Sequence, residues 1–170
     1  MSRAFVKESD ESLPSDELPE RPLAPHPNYV TPAGLAALRV RLHDLQAQRE
    51  DLKAHTDDDP LARQRRLEAE RDLRYVNAQI ERAIVVNPVE QPGEEVHFGA
   101  QVTIRDDAGR EQTFAIVGDD EADLALGKIS WASPLAKALI GARAGDTVTW
   151  PRPDGAVEVE VTAIAYPQAT

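Results

Sequence analysis

From Leu35 onward, apolar residues recur in alternating steps of three and four: Leu35, Leu38, Leu42, Leu45 and Leu52, with Arg49 breaking the series. After a short polar interval the same spacing returns in Ala62, Ala69, Leu73, Val76, Ile80 and Ala83, with Arg66 as its polar exception. Such spacing lines one stripe of a helix with apolar side chains, the a/d seam of a coiled coil. Thr31-Pro32 marks the first helix start: a hydroxyl cap, then proline where no backbone N–H is needed. The interval His55-Thr56-Asp57-Asp58-Asp59-Pro60 is a turn, because proline disfavours helix in the residue before it and permits a new start. Two amphipathic helices joined so closely can bury their seams only by folding back on each other, which predicts an antiparallel coiled-coil hairpin. Each helix is expected to hold about 25 residues and the arm to be on the order of 35–40 Å long. The seam carries no large aromatic residue, so the arm should lean on a globular domain at its open end.

From Val96 the period shortens to two. Val96-Phe98, Val102-Ile104, Phe114-Ile116, Val148-Trp150 and Val157-Val159-Val161 alternate with polar neighbours, and Asp107-Ala108-Gly109 and Pro153-Asp154-Gly155 are turns between strands. One short helix interrupts them, with Ser133 as cap, Pro134 at its first position and Gly141 as its stop. The expected fold is α+β. Residues 1–28 form a Pro-rich acidic tail, 29–86 the hairpin with an acidic tip, and 87–170 a small antiparallel-sheet domain with one short helix. The tail cannot bury enough apolar surface to offset its ordering entropy and is expected to be disordered. Ala4-Phe5-Val6 is its only apolar cluster, and Phe5 could anchor a docking peptide.

Charge sharpens this division. The net charge of −11 is carried by the tail (3 basic, 6 acidic) and the sheet domain (6 basic, 14 acidic), while the hairpin balances at 10 and 10. An acidic protein is a poor general ligand for nucleic acid, which argues against independent DNA binding and for a protein partner. The 170 residues include no cysteine, so disulfides and thiolate metal sites are excluded. No run of apolar residues is long enough for a membrane span and no signal peptide is visible, so the expected location is cytoplasmic.

Most candidate motifs fall away on spacing. Gly118-Asp119-Asp120-Glu121-Ala122-Asp123 lacks the alternating ligands of a calcium loop. Gly127-Lys128 lacks the glycine-rich loop of a phosphate cradle. His26, His43, His55 and His97 are scattered without metal-ligand spacing. The hairpin turn differs, because Asp57, Asp58 and Asp59 place three carboxylates at the end of a thin arm. Like charges so close favour a nearby cation, and magnesium suits a site of one or two carboxylates plus water. A solvated turn with Asp59 capping the second helix is the competing reading.

Four segments keep an order and spacing that point to one family: Tyr29-Val30-Thr31-Pro32-Ala33-Gly34-Leu35, His97-Phe98-Gly99-Ala100, Ile116 through Asp123, and Ile129-Ser130-Trp131-Ala132-Ser133-Pro134. Together, from about Tyr29 to Ala165, they resemble the GreA/GreB transcript-cleavage factors of bacterial RNA polymerase. The resemblance implies an FKBP-like sheet domain without isomerase activity, docking to polymerase through Asp119, Asp120, Glu121, Asp123, Ser130, Ser133 and Pro134. It also implies an arm in the polymerase secondary channel. There Asp57, Asp58 and Asp59 would serve as catalytic and metal-holding carboxylates toward an Mg2+ ion shared with the polymerase active site, with none held stably by the factor alone. Arg63, Arg65 and Arg66 would contact the nascent RNA 3′ end. The chain would then be a monomeric accessory factor stimulating RNA cleavage by the polymerase, not an enzyme itself.

Two departures open an alternative. The family's tip reads Asp, two residues, Glu, Asn; here Asp57 fits the first position, but Pro60 stands where the glutamate belongs. Both helices are also about one heptad short, which draws the tip back by roughly 10 Å. A non-cleaving occupant of the secondary channel, like the short-armed regulator-of-nucleoside-diphosphate-kinase type, fits these departures. A free-standing prolyl isomerase is disfavoured, because its cleft is lined with aromatics and the whole chain holds only 3 Phe, 2 Trp and 3 Tyr.

Overall fold

The computed structural model describes residues 18–55 and 59–168. A short strand, β1 (Asn28–Val30), leads into helix α1 (Pro32–Lys53), which returns through α2 (Pro60–Glu81) to a second short strand, β2 (Ala83–Val85). Each helix has 22 residues, about 33 Å at the α-helical rise, slightly shorter than the expected 25. Thr31 caps α1 by accepting from the Gly34 amide, and Asp59 caps α2 by accepting from the Leu61 amide. Both helices carry proline in the first turn, where its missing N–H costs nothing.

The seam buries Leu38 and Leu45 against Ala69, Leu73 and Val76, with Leu35, Leu42, Tyr75 and Ile80 half-covered around them. Arg49 and Arg66 occupy the expected interruptions and are half-buried. The Arg66 Nε is buried without a hydrogen-bond partner among the described residues, 3.8 Å from Glu70 Oε1.

The globular part is a five-stranded sheet ordered β5-β4-β3-β7-β6, formed by β3 (Gln101–Arg105), β4 (Glu111–Val117), β5 (Lys128–Ser130), β6 (Thr147–Trp150) and β7 (Val157–Ala165). Helix α3 (Pro134–Leu139) packs Leu135, Ala136 and Leu139 onto the face carrying Val102, Ile104, Ile116, Val159 and Val161. Burying each such side chain contributes on the order of 1.5–3 kcal/mol, so this layer is the main source of the domain's stability.

Three expectations need correction. The sheet is not wholly antiparallel, because β5 runs parallel to β4, pairing Ala115 with Lys128 through Val117 with Ser130. A parallel pair needs a crossover, and residues 118–127 supply it in two 3-10 turns, Asp119–Glu121 and Leu124–Leu126. Val96-Phe98 is not a strand; Val96 is buried instead by exchanging backbone hydrogen bonds with Ala142 and Gly141. Ala83, expected as the last seam position of the second helix, opens a strand instead, and Ala83–Val85 pairs in parallel with Asn28–Val30.

The tail boundary at residue 28 also shifts. Residues 18–28 lie along the base of the hairpin and reach the globular domain, because their polar groups find partners there. Glu20 accepts from Arg74, Arg21 sits 3.8 Å from the Tyr75 ring centroid, and Arg82 donates to the carbonyls of Ala24 and His26. Phe5 lies outside the described residues.

Candidate functional site

Two regions bear the sequence-derived candidates: the end of the arm and the joint where arm meets domain. At the arm's end, Asp57 and Asp58 lie outside the described residues. Asp59 is exposed, but one carboxylate oxygen accepts from the Leu61 amide at 2.9 Å. Its local role is therefore to satisfy an amide that the first helical turn leaves open. Among the described residues, no group of three or more His, Cys, Asp or Glu is placed to hold a metal ion. Arg63 and Arg65 are exposed on the first turns of α2, whereas Arg66 turns its Nε into the seam.

At the joint, the acidic turn is largely engaged within the chain. Tyr75 Oη and Gln79 Nε2 donate to the two carboxylate oxygens of Asp120, at 2.7 and 2.6 Å. Thr31 Oγ1 donates to Glu121 Oε2 at 2.6 Å while accepting from the Gly34 amide at 2.9 Å. Asp119 accepts from the Ser130 hydroxyl, and its other oxygen lies 3.1 Å from His26 Nε2. Burial, then the hydrogen bond to Asp120 and its charge, push the Tyr75 phenol up to about 12.

Close approach makes this possible. A Cβ on Gly118 would collide with the Tyr29 carbonyl oxygen, and one on Gly34 would lie 2.7 Å from Glu121 Oε2. At Gly118 the obstacle is backbone, so only hydrogen lets the acidic turn seat against the start of the arm; at Gly34 a side chain would push the Glu121 carboxylate off Thr31. Trp131 completes the joint, with the rings of His26 and Tyr29 edge-on at 5.0 and 4.9 Å.

The remaining docking candidates are divided. Asp123 caps the Leu124–Leu126 turn by accepting from the Ala125 amide, and Ser133 caps α3 by accepting from Ala136. Pro134 is exposed at the first position of α3. Beside Asp123, Leu124 and Leu126 are 80% and 69% exposed, and sequence reading had not marked them.

The same segments decide the family. A family model described as "Transcription elongation factor, GreA/GreB, C-term" matches residues 91–166. Transcription elongation factor GreB of Neisseria meningitidis serogroup B is 39% identical over 153 residues, covering 82% of this chain and 94% of the relative. The chain belongs to the GreA/GreB family of transcription elongation factors. GreA of Hyphomonas neptunium is 49% identical over 86 residues, covering 50% of this chain and 55% of that one. Among solved structures, GreA factor homolog 1 of Thermus thermophilus is 26% identical, covers 82% of this chain and 99% of its own, and superposes with a TM-score of 0.39.

Proposed function

We propose that this GreA/GreB family member binds RNA polymerase through its globular domain and places its short arm in the secondary channel, regulating transcription by occupying that channel without stimulating cleavage. The observation that carries this choice is the arm's end. Pro60 stands where the family pattern has its glutamate, and the neighbouring Asp59 carboxylate caps α2. Cleavage by the polymerase is metal-assisted phosphodiester hydrolysis, to which a factor contributes carboxylates poised within hydrogen-bonding reach. An arm drawn back by one heptad, with one of its carboxylates engaged by its own helix, is poorly suited to that contribution.

The docking surface is narrower than the full set of sequence candidates. Asp119, Asp120 and Glu121 hold the joint, which leaves exposed Asp123, Leu124, Leu126 and Pro134 to meet the polymerase. Arg63 and Arg65 face outward near the tip, where arginine suits RNA phosphate.

Cleavage stimulation with a shared Mg2+ is the second reading, and the run Asp57-Asp58-Asp59 favours it. Stalled, backtracked complexes of the cognate polymerase separate the two. The expected result is no RNA cleavage above that of polymerase alone, and falling activity of a cleaving family member as this chain is titrated in. Magnesium-dependent cleavage that disappears in the Asp57→Ala/Asp58→Ala/Asp59→Ala variant would install the cleavage reading instead. Failure to compete would remove channel occupancy as well.

A further inference from the structure

Tyr75, Gln79 and Arg82 follow one another at steps of four and three, so they form a single polar stripe down the end of α2, beside the apolar seam. Two separate segments meet on that stripe. Tyr75 and Gln79 hold Asp120 of the globular domain, and Arg82 holds the carbonyls of Ala24 and His26 at 2.8 and 2.9 Å. The segment held by Arg82 then continues to the domain: the His26 ring contacts Asp119 at 3.1 Å and stands edge-on to Trp131. Upstream, Arg21 stacks on Tyr75 and lies 3.6 Å from Asp72, and Glu20 pairs with Arg74. Downstream, Asn28 is buried and donates to the Gln79 carbonyl at 2.8 Å.

We propose that residues 18–28 are a brace that fixes the direction of the arm relative to the globular domain, with Arg82 and His26 as its two anchor points. Apart from these residues the hairpin is attached to the domain in two ways, through the chain that follows β2 and through the contacts of Thr31, Tyr75 and Gln79 with the acidic turn. The brace adds a third, running from Arg82 at the end of the hairpin to Asp119 and Trp131 of the domain, and each added attachment narrows the rotation that the others leave open. Arg82 suits the hairpin end: its Nη2 donates to both backbone carbonyls while Nη1 donates to Gln79 Oε1, so one rigid guanidinium ties the segment to the helix. His26 suits the domain end, because one ring contacts a carboxylate through its edge and an indole through its face or rim.

The brace is a property of the free molecule. Its use, aiming the arm into a channel, rests on the proposed function. The two are tested separately, because the arm's direction can be measured without polymerase.

The chain has no native cysteine, so His55→Cys near the tip and Asp107→Cys on the β3–β4 turn give a clean pair for spin labels. Both native side chains are exposed. Electron–electron distance measurements on the otherwise native chain should give one narrow population. In the Arg21→Ala/His26→Ala/Arg82→Gln background the population should broaden at least twofold, with helix content and melting of the arm unchanged. Arg82→Lys, which keeps a donor for one carbonyl, should restore part of the narrowing. His26→Ala alone, a change at a part-exposed side chain, gives a smaller broadening and serves if the triple variant does not fold. A distribution as narrow in folded brace variants as in the native chain would overturn the proposal and leave residues 18–28 as a passive covering.

Discussion

The two ends of the arm are built on opposite principles. At the joint, Leu38, Leu73 and Val76 fill the seam, and Thr31, Tyr75, Gln79 and Arg82 each make at least one polar contact outside the hairpin's own helices. Toward the tip, the seam passes through Arg49 and Arg66 and then through Ala62, whose methyl group buries little area. The described residues there make polar contacts with near neighbours in sequence: Arg49 and Lys53 with Glu50, Asp59 with Leu61. Stability is thus concentrated where the arm is held and is thin where it would act.

The sharpest way to break this contrast is to remove one leucine from each end. Leu73→Ala should cost about 3 kcal/mol, because the side chain is nearly fully buried in the cluster with Leu38, Leu45, Ala69 and Val76. Leu52→Ala, at a half-covered position near the tip, should cost about 1 kcal/mol. Urea denaturation of both variants decides it, and equal losses would mean that the tip is as tightly built as the base.

Smaller in size, and opposite in sign, is the effect of repairing the seam. Arg66→Leu removes a buried N–H that has no hydrogen bond among the described residues, gives up only a long ion pair with Glu70 and restores the apolar stripe, so it should stabilise the chain by about 1 kcal/mol. A fall in stability would show that the arginine's aliphatic stem already packs the layer and that the interruption is only nominal.

The smallest effect is a pH dependence confined to the joint. The Tyr75 phenol keeps its proton up to about 12 in the folded chain, above its ordinary value of 10.0. The stabilisation is therefore complete below pH 10, where the unfolded phenol is also protonated. It declines as pH rises from there through about 12. Tyr75→Phe should lose less stability between pH 10 and 12 than the native chain does. The difference between the two urea midpoints isolates Tyr75 from the other groups that titrate there. Parallel pH profiles would separate Tyr75 from the acidic turn.

What could be read from the sequence was what is encoded locally. Thr31-Pro32 and Ser133-Pro134 cap helices as their side chains dictate, the Leu35-to-Ile80 spacing produces the seam, and the alternating segments from Val102 onward form strands. The acidic turn was visible as a cluster, but its partners were not. Asp120 meets residues 45 and 41 positions away, and Glu121 meets one 90 positions away, separations at which no periodicity operates. The parallel pairings of β1 with β2 and β4 with β5 were hidden for the same reason, each involving three residues with no local register signal. One clue was present in the chain: Tyr75, Gln79 and Arg82 form a second stripe on α2, and such a stripe beside an apolar seam marks a helix touched on two sides. At the tip, sequence weighed Asp59 both as a cap and as a metal-holding carboxylate, and its bond to Leu61 shows the cap.

Among the described residues, Thr31 at the start of α1 and the stretch from Asp72 to Arg82 at the end of α2 tie the arm to the rest of the molecule. The shaft is therefore an interchangeable part: paired heptads can be inserted or lost along it, one in each helix, and no contact at its mounting has to change. A lineage carrying this scaffold can retune reach in steps of roughly 10 Å by deletion alone, without first evolving a new seat for the lever.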